Sequence, residues 1–140
     1  MATATVTNEY DVNAEKLWSK VKAFNDMHKF LPSMITSCEV NGSGEGASRI
    51  CGTESGNILE TLQSLDEENM TLEYSIDNDD APLPVANYRA KASIEKLSDD
   101  KAKFTWTATF DAKGMPEAEV VGMLEGAFGG LTDNIAASVQ

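Results

Sequence analysis

Phe104-Thr105-Trp106-Thr107-Ala108-Thr109-Phe110 alternates aromatic or small apolar residues with threonine, residue by residue. Successive side chains of a strand point to opposite faces, so Phe104, Trp106, Ala108 and Phe110 form one inward face and the threonines form the other. The segment before it repeats the pattern: Tyr88, Ala90, Ala92 and Ile94 face inward, opposite Arg89, Lys91, Ser93 and Glu95. Further upstream, Leu72, Tyr74 and Ile76 share an inward face. Between residues 35 and 111 there are six such segments, at about 35–41, 47–54, 57–66, 70–77, 85–97 and 102–111. Their connectors are short polar turns, such as Asp66-Glu67-Glu68-Asn69 and Ser98-Asp99-Asp100-Lys101. Successive strands therefore pair as antiparallel hairpins. The Asp77–Pro84 connection carries Pro82 and Pro84, which cannot donate to a ladder and so mark a loop or a strand edge.

Two helical patterns frame these strands. Residues 3–10 read as a further strand, after which Asn13 can cap a helix with Leu17, Trp18, Val21 and Phe24 on one face, ending near Asn25-Asp26. A short second helix over Met27–Phe30 is stopped by Pro32. After Pro116, Val120, Leu124, Ala127, Phe128, Leu131 and Ile135 mark a long amphipathic helix of about 22 residues. The fold class is α+β: a seven-stranded antiparallel sheet, two short helices between strands 1 and 2, and a long C-terminal helix. A sheet curved around such a helix cannot close on it completely, so the inner faces are expected to enclose a pocket.

The chain has 140 residues and a net charge of −12, from 11 basic and 23 acidic residues. That length suits a single domain over residues 1–140, able to bury roughly two thirds of its unfolded surface. The charge disfavours phosphate backbones, and no basic patch offsets it, so no nucleic acid or anionic membrane partner is expected. No apolar run is long enough for a membrane span and no leader pattern opens the chain, so the sequence predicts a soluble, cytoplasmic protein. No cofactor or metal is predicted. Cys38 and Cys51 lack the spacing of a zinc site, and Gly42-Ser43-Gly44-Glu45-Gly46 leads into a strand, unlike a dinucleotide fingerprint. Asp77-Asn78-Asp79-Asp80 has Pro82 where a calcium loop needs glycine and Tyr88 where it needs glutamate. Cys38 and Cys51 are equidistant from the turn between Gly44 and Glu45, which would set them opposite each other in one hairpin. They read as two reduced thiols rather than a cross-strand disulfide.

Trp18, Gly46-Ala47-Ser48-Arg49, Ile58-Leu59-Glu60-Thr61-Leu62 followed by Asp66, Leu83-Pro84-Val85-Ala86-Asn87-Tyr88, Trp106 and Phe110 occur in order along the chain. As a set this resembles the polyketide cyclase/dehydrase and lipid-transport family, within the START-like, birch-pollen-allergen-like (SRPBCC) superfamily. The resemblance implies a helix-grip fold with a hydrophobic cavity. Members of the family range from lipid or hormone binders to aromatic cyclases. The glycine-rich 42–46 turn then looks like the hairpin loop of plant relatives of this fold.

Strand 4 leaves two assignments open, because Ile58-Glu60-Leu62-Ser64 competes with Leu59-Thr61-Gln63-Leu65 for the inner face; the resemblance favours Glu60 and Leu62. Arg49 would then stand near Glu60 across the hairpin, either as an ion pair fixing strand register or as a ligand-orienting or acid/base group. A close pair would lower the Glu60 pKa. The expected lining is Trp18, Arg49, Glu60, Leu62, Leu72, Tyr74, Tyr88, Trp106, Phe110, Leu124 and Phe128. Tyr74 and Tyr88 offer hydroxyls to a ligand, and His28, without a triad partner, reads as a surface residue.

The sequence thus favours binding of a hydrophobic or aromatic small molecule or lipid, for storage, transport or sensing. The alternative is a cyclase or dehydratase with Glu60 as acid or base, and a weaker one is a protein-interaction domain. Gly122, Gly126, Gly129 and Gly130 project from the polar side of the last helix. They suggest either a helix that loosens to admit ligand or a flat contact surface, leaving monomer and homodimer both open.

Overall fold

In the computed structural model, which describes residues 1–140, the alternating segments form one seven-stranded antiparallel sheet in the order β1-β7-β6-β5-β4-β3-β2. The strands are β1 (Ala2–Tyr10), β2 (Ser37–Asn41), β3 (Ser48–Thr53), β4 (Gly56–Asp66), β5 (Thr71–Ile76), β6 (Val85–Ser98) and β7 (Lys101–Ala112). Helices α1 (Ala14–Lys22) and α2 (Met27–Phe30) lie between β1 and β2, and α3 (Glu117–Ala137) closes the chain. The curved sheet wraps α3. No helix is long and apolar enough to cross a membrane.

The inward faces fall where alternation puts them. Phe104, Trp106, Ala108 and Phe110 are buried on β7, and Tyr88, Ala90, Ala92 and Ile94 on β6. On the outer face the threonines pair across strands, with the Thr5 and Thr107 hydroxyls 2.8 Å apart and those of Thr7 and Thr105 3.1 Å apart. Asn13 caps α1, its side-chain oxygen accepting from the Lys16 N–H at 3.0 Å. α3 turns Val120, Leu124, Phe128, Leu131 and Ile135 to the sheet. It is tied to β1 by the Thr5 N–H donating to Glu125 and by the Tyr10 hydroxyl donating to Asp133.

Two boundaries and one strand face differ from the sequence reading. α1 ends at Lys22 instead of continuing to Asn25-Asp26, because Phe24 and Asp26 adopt left-handed backbone angles (φ 58° and 60°) that no helix continues through. β2 starts at Ser37 instead of Ile35, whose N–H turns back to the Leu31 carbonyl. On β4 neither competing face is wholly right: Leu62 pairs with Tyr74, and the register then shifts so that Ser64 pairs with Glu73 and Leu65 with Leu72. This β-bulge at Gln63 switches the inward set from Ile58, Glu60 and Leu62 to Leu65, which packs against the core.

Candidate functional site

Arg49 and Glu60 are register partners on β3 and β4, both turned toward the concave side. Arg49 Nε donates to Glu60 Oε1 at 2.7 Å, and Nη2 lies 2.6 Å from the same oxygen but off the line of a hydrogen bond. Both residues are buried, at 3% and 7% exposure. Burial on this scale requires that the charges be paired. The guanidinium is further held by Nη1 donating to the Phe24 carbonyl at 3.3 Å and by the Phe24 ring, whose centroid lies 3.9 Å from Cζ. The left-handed turn that ends α1 therefore delivers both contacts from one residue.

All contacts to the carboxylate fall on one oxygen. Oε1 takes the two Arg49 nitrogens and, at 3.9 Å, the Cys51 thiol. Oε2 accepts no hydrogen bond from any protein group. Burial pushes Glu60 above the usual carboxylate range, and the Arg49 charge and hydrogen bond oppose this without cancelling it. The pair is as close as expected, yet the direction is the reverse of the lowering expected from a close partner. Arg49, for which burial works against the charge, is held firmly protonated by Glu60.

A second polar group lies deeper. Trp106 Nε1 donates to the Tyr74 hydroxyl at 3.3 Å, and the Tyr74 and Tyr88 hydroxyls are 3.1 Å apart. Burial raises the pKa of both tyrosines, so each is a neutral phenol at ordinary pH. Tyr74 is committed to two internal partners and has little left to offer a ligand, whereas the Tyr88 hydroxyl has Tyr74 alone.

Between this polar end and α3 lies a cavity of about 50 Å³, with 14 of its 15 lining residues hydrophobic. Its walls include Met27, Met34, Ile58, Leu124 and Phe128, with Glu60 as the single charged group. A second void of about 20 Å³ lies among Phe24, Arg49, Leu72, Tyr74 and Trp106. The first admits only a few waters, since drug-sized ligands occupy pockets of roughly 300–1,000 Å³. The wide pocket expected from a sheet curved around a helix is therefore largely filled by its own side chains. Met34 and Leu83 line both the inner cavity and an outer hollow of about 370 Å³ that also includes Pro32, Pro82, Pro84 and Met123. Those two side chains form the wall between them.

Of the expected lining, Glu60, Tyr74, Tyr88, Leu124 and Phe128 border the main cavity, and Arg49, Leu72 and Trp106 border the smaller void. Trp18, Leu62 and Phe110 border neither. Leu62 and Phe110 are consumed by core packing, at 1% and 0% exposure. Trp18 is buried against α1's neighbours, with its indole N–H donating outward to Glu67 at 3.0 Å. His28 is half-buried with an unpartnered Nδ1, not a free surface residue. Sequence reasoning missed Met27, Leu31, Met34, Ile35 and Leu83, which sit on α2 and in loops where no strand alternation assigns a face. It also missed Ala127 and Leu131, although their apolar helical spacing was already visible.

The family described as polyketide cyclase / dehydrase and lipid transport matches the chain over residues 1–140. Among solved structures, protein XoxI from Bacillus cereus is 24% identical with a TM-score of 0.85, covering 99% of this chain and 96% of its own. An uncharacterised protein from Bacillus thuringiensis is also 24% identical, with a TM-score of 0.84 and coverage of 99% and 98%. Ara h 8.0201 is 22% identical with a TM-score of 0.75, covering 99% of this chain and 98% of its own. These likenesses are of fold. No curated protein matches the chain.

Proposed function

The chain belongs to the polyketide cyclase / dehydrase and lipid transport family, and on that premise we propose that it binds a small apolar or aromatic molecule carrying one hydrogen-bond donor, which meets Glu60. The observation that carries this reading is the free Oε2 of Glu60 in a cavity that is otherwise almost wholly apolar. A ligand hydroxyl or N–H reaching Oε2 would satisfy an acceptor that no protein group reaches. Apolar burial, at about 25 cal/mol per Å², would supply most of the affinity and the polar contact the orientation.

Entry requires the cavity to enlarge. Met34 and Leu83 separate it from the outer hollow, and methionine, unbranched and flexible, is suited to yield and repack. Met27 on α2 and Leu124 and Phe128 on α3 form walls that a ligand would push apart. The protein would thus be a carrier or sensor whose site opens around its cargo.

One observation favours the second reading, an enzyme of cyclase or dehydratase type: Glu60 is buried with a raised pKa, as a general acid needs. Against it, Oε1 is committed to Arg49, and the Tyr74 hydroxyl that would polarise a carbonyl is committed to Trp106 and Tyr88.

The deciding experiment is native mass spectrometry of the purified protein with organic extraction of whatever it carries. A mass excess lost on denaturation and matched to an apolar compound with a hydroxyl or N–H supports the binder. For a protein isolated empty, titration with N-phenyl-1-naphthylamine, an apolar amine with one N–H between a naphthyl and a phenyl group, takes its place. Saturable binding that weakens about tenfold in Glu60→Leu combined with Arg49→Met supports the reading. No saturable binding overturns it and moves the weight to a protein-interaction role.

A further inference from the structure

Cys38 on β2 and Cys51 on β3 are direct partners in the antiparallel ladder. Directly opposed residues have Cα atoms about 4.5–5.5 Å apart, inside the range of about 4.4–6.8 Å that a disulfide spans. Both thiols are free. Their settings differ. Cys51 is buried and lines the main cavity, whereas Cys38 is half-buried on the edge strand of the sheet. The Cys51 S–H donates to Glu60 Oε1 at 3.9 Å.

The geometry points to Cys38 and Cys51 as an oxidisable thiol pair, converted by a hydroperoxide into an intramolecular disulfide that joins β2 to β3 beside Glu60. Cys38 is the attacking sulfur. The neighbouring Cys51 thiol and the Arg49 charge favour its thiolate, with burial and the Glu60 charge working the other way. Cys51 stays protonated, held so by the neighbouring Cys38 sulfur and by burial. The Cys38 thiolate attacks one oxygen of hydrogen peroxide, the O–O bond breaks, Cys38 becomes a sulfenic acid, and the departing hydroxide leaves as water. The Cys51 sulfur then attacks the Cys38 sulfur and displaces the sulfenic oxygen as a second water. Two thiols and one peroxide give one disulfide and two waters. Oxidation also removes the Cys51 proton from Glu60 Oε1, leaving Arg49 as that oxygen's only partner, so the redox state would reach the polar end of the cavity. This inference does not depend on what the cavity binds.

The test treats the purified chain with hydrogen peroxide, blocks remaining thiols with iodoacetamide under denaturing conditions, and maps the peptides. Both thiols are expected to disappear together, with a mass loss of two hydrogens, a linked peptide containing Cys38 and Cys51, and full reversal by dithiothreitol. In Cys51→Ala, Cys38 should stop at a sulfenic acid that dimedone traps; in Cys38→Ser, Cys51 should stay reduced at the same dose. Two thiols that remain independently alkylatable, disulfides formed only between chains, or Cys51 oxidising as readily in Cys38→Ser would each overturn the proposal. The wild-type peptide map decides it even where a variant fails to fold.

Discussion

Arg49 Nε and Glu60 Oε1 meet at 2.7 Å across the β3–β4 pair, with both side chains buried and Phe24 stacked on the guanidinium. Removing one member strands the other charge in an apolar setting, so Arg49→Met should cost about 3–5 kcal/mol, read as a lower urea midpoint at unchanged slope. Arg49→Met combined with Glu60→Leu should recover most of that loss. A double variant as unstable as the single one would show that the geometry of the pair, and not the stranded charge, sets the cost.

The raised Glu60 pKa fixes the sign of a pH effect. Between the unfolded carboxylate value of about 4.3 and the higher folded value, the native state holds more protons than the unfolded state. The contribution of this group to stability is therefore present below the lower value and is lost as pH rises through the higher one. Urea unfolding of wild type and Glu60→Gln across that interval should show wild type losing stability relative to the variant as pH rises. Parallel curves would mean that Glu60 titrates normally.

Tyr74 and Tyr88 should be unequal despite similar burial. Tyr74→Phe leaves both the Trp106 N–H and the Tyr88 hydroxyl without their partner and should cost about 1–3 kcal/mol. Tyr88→Phe leaves Tyr74 still accepting from Trp106 and should cost about 1 kcal/mol. Chemical denaturation with the order reversed would contradict Tyr74 as the shared centre of this hydrogen-bond chain.

Gly126 sits on the outer side of α3 with nothing within 4 Å of where a Cβ would stand. Gly126→Ala should therefore stabilise the protein by up to about 1 kcal/mol through helix propensity alone. If α3 loosens to admit ligand, the same change should also slow uptake of N-phenyl-1-naphthylamine in stopped-flow fluorescence. Faster uptake would mean that the opening lies elsewhere.

Met34 supplies part of the wall between the cavity and the outer hollow. Met34→Ala should speed association of the same probe, and removing a partly buried methionine should cost at most about 2–5 kcal/mol. Unchanged association with intact folding would place the entry elsewhere.

Much of this architecture was written in local pattern. Period-two alternation assigned Phe104, Trp106 and Phe110 on β7 and Tyr88, Ala90 and Ala92 on β6 to the inner face, because a strand has only two sides and the apolar side must leave water. Counting residues outward from the Gly44-Glu45 turn placed Cys38 opposite Cys51, since a hairpin turn sets the register of both its strands. The glycine face of α3 followed from helical spacing in the same way.

What the tertiary structure decided were quantities that no single segment contains. The bulge at Gln63 re-aimed the end of β4, a choice made by its pairing with β5. The Glu60 pKa rose despite a bonded arginine, because burial sums over every element around the carboxyl. The space left inside came to about 50 Å³ instead of a ligand-sized pocket, with Trp18, Leu62 and Phe110 off its walls and Met34 and Leu83 on them. Sequence pattern determines which side chains face inward; how closely they fill the interior depends on the curvature of the sheet and the seating of α2 and α3 against it, which exist only once the whole chain has packed.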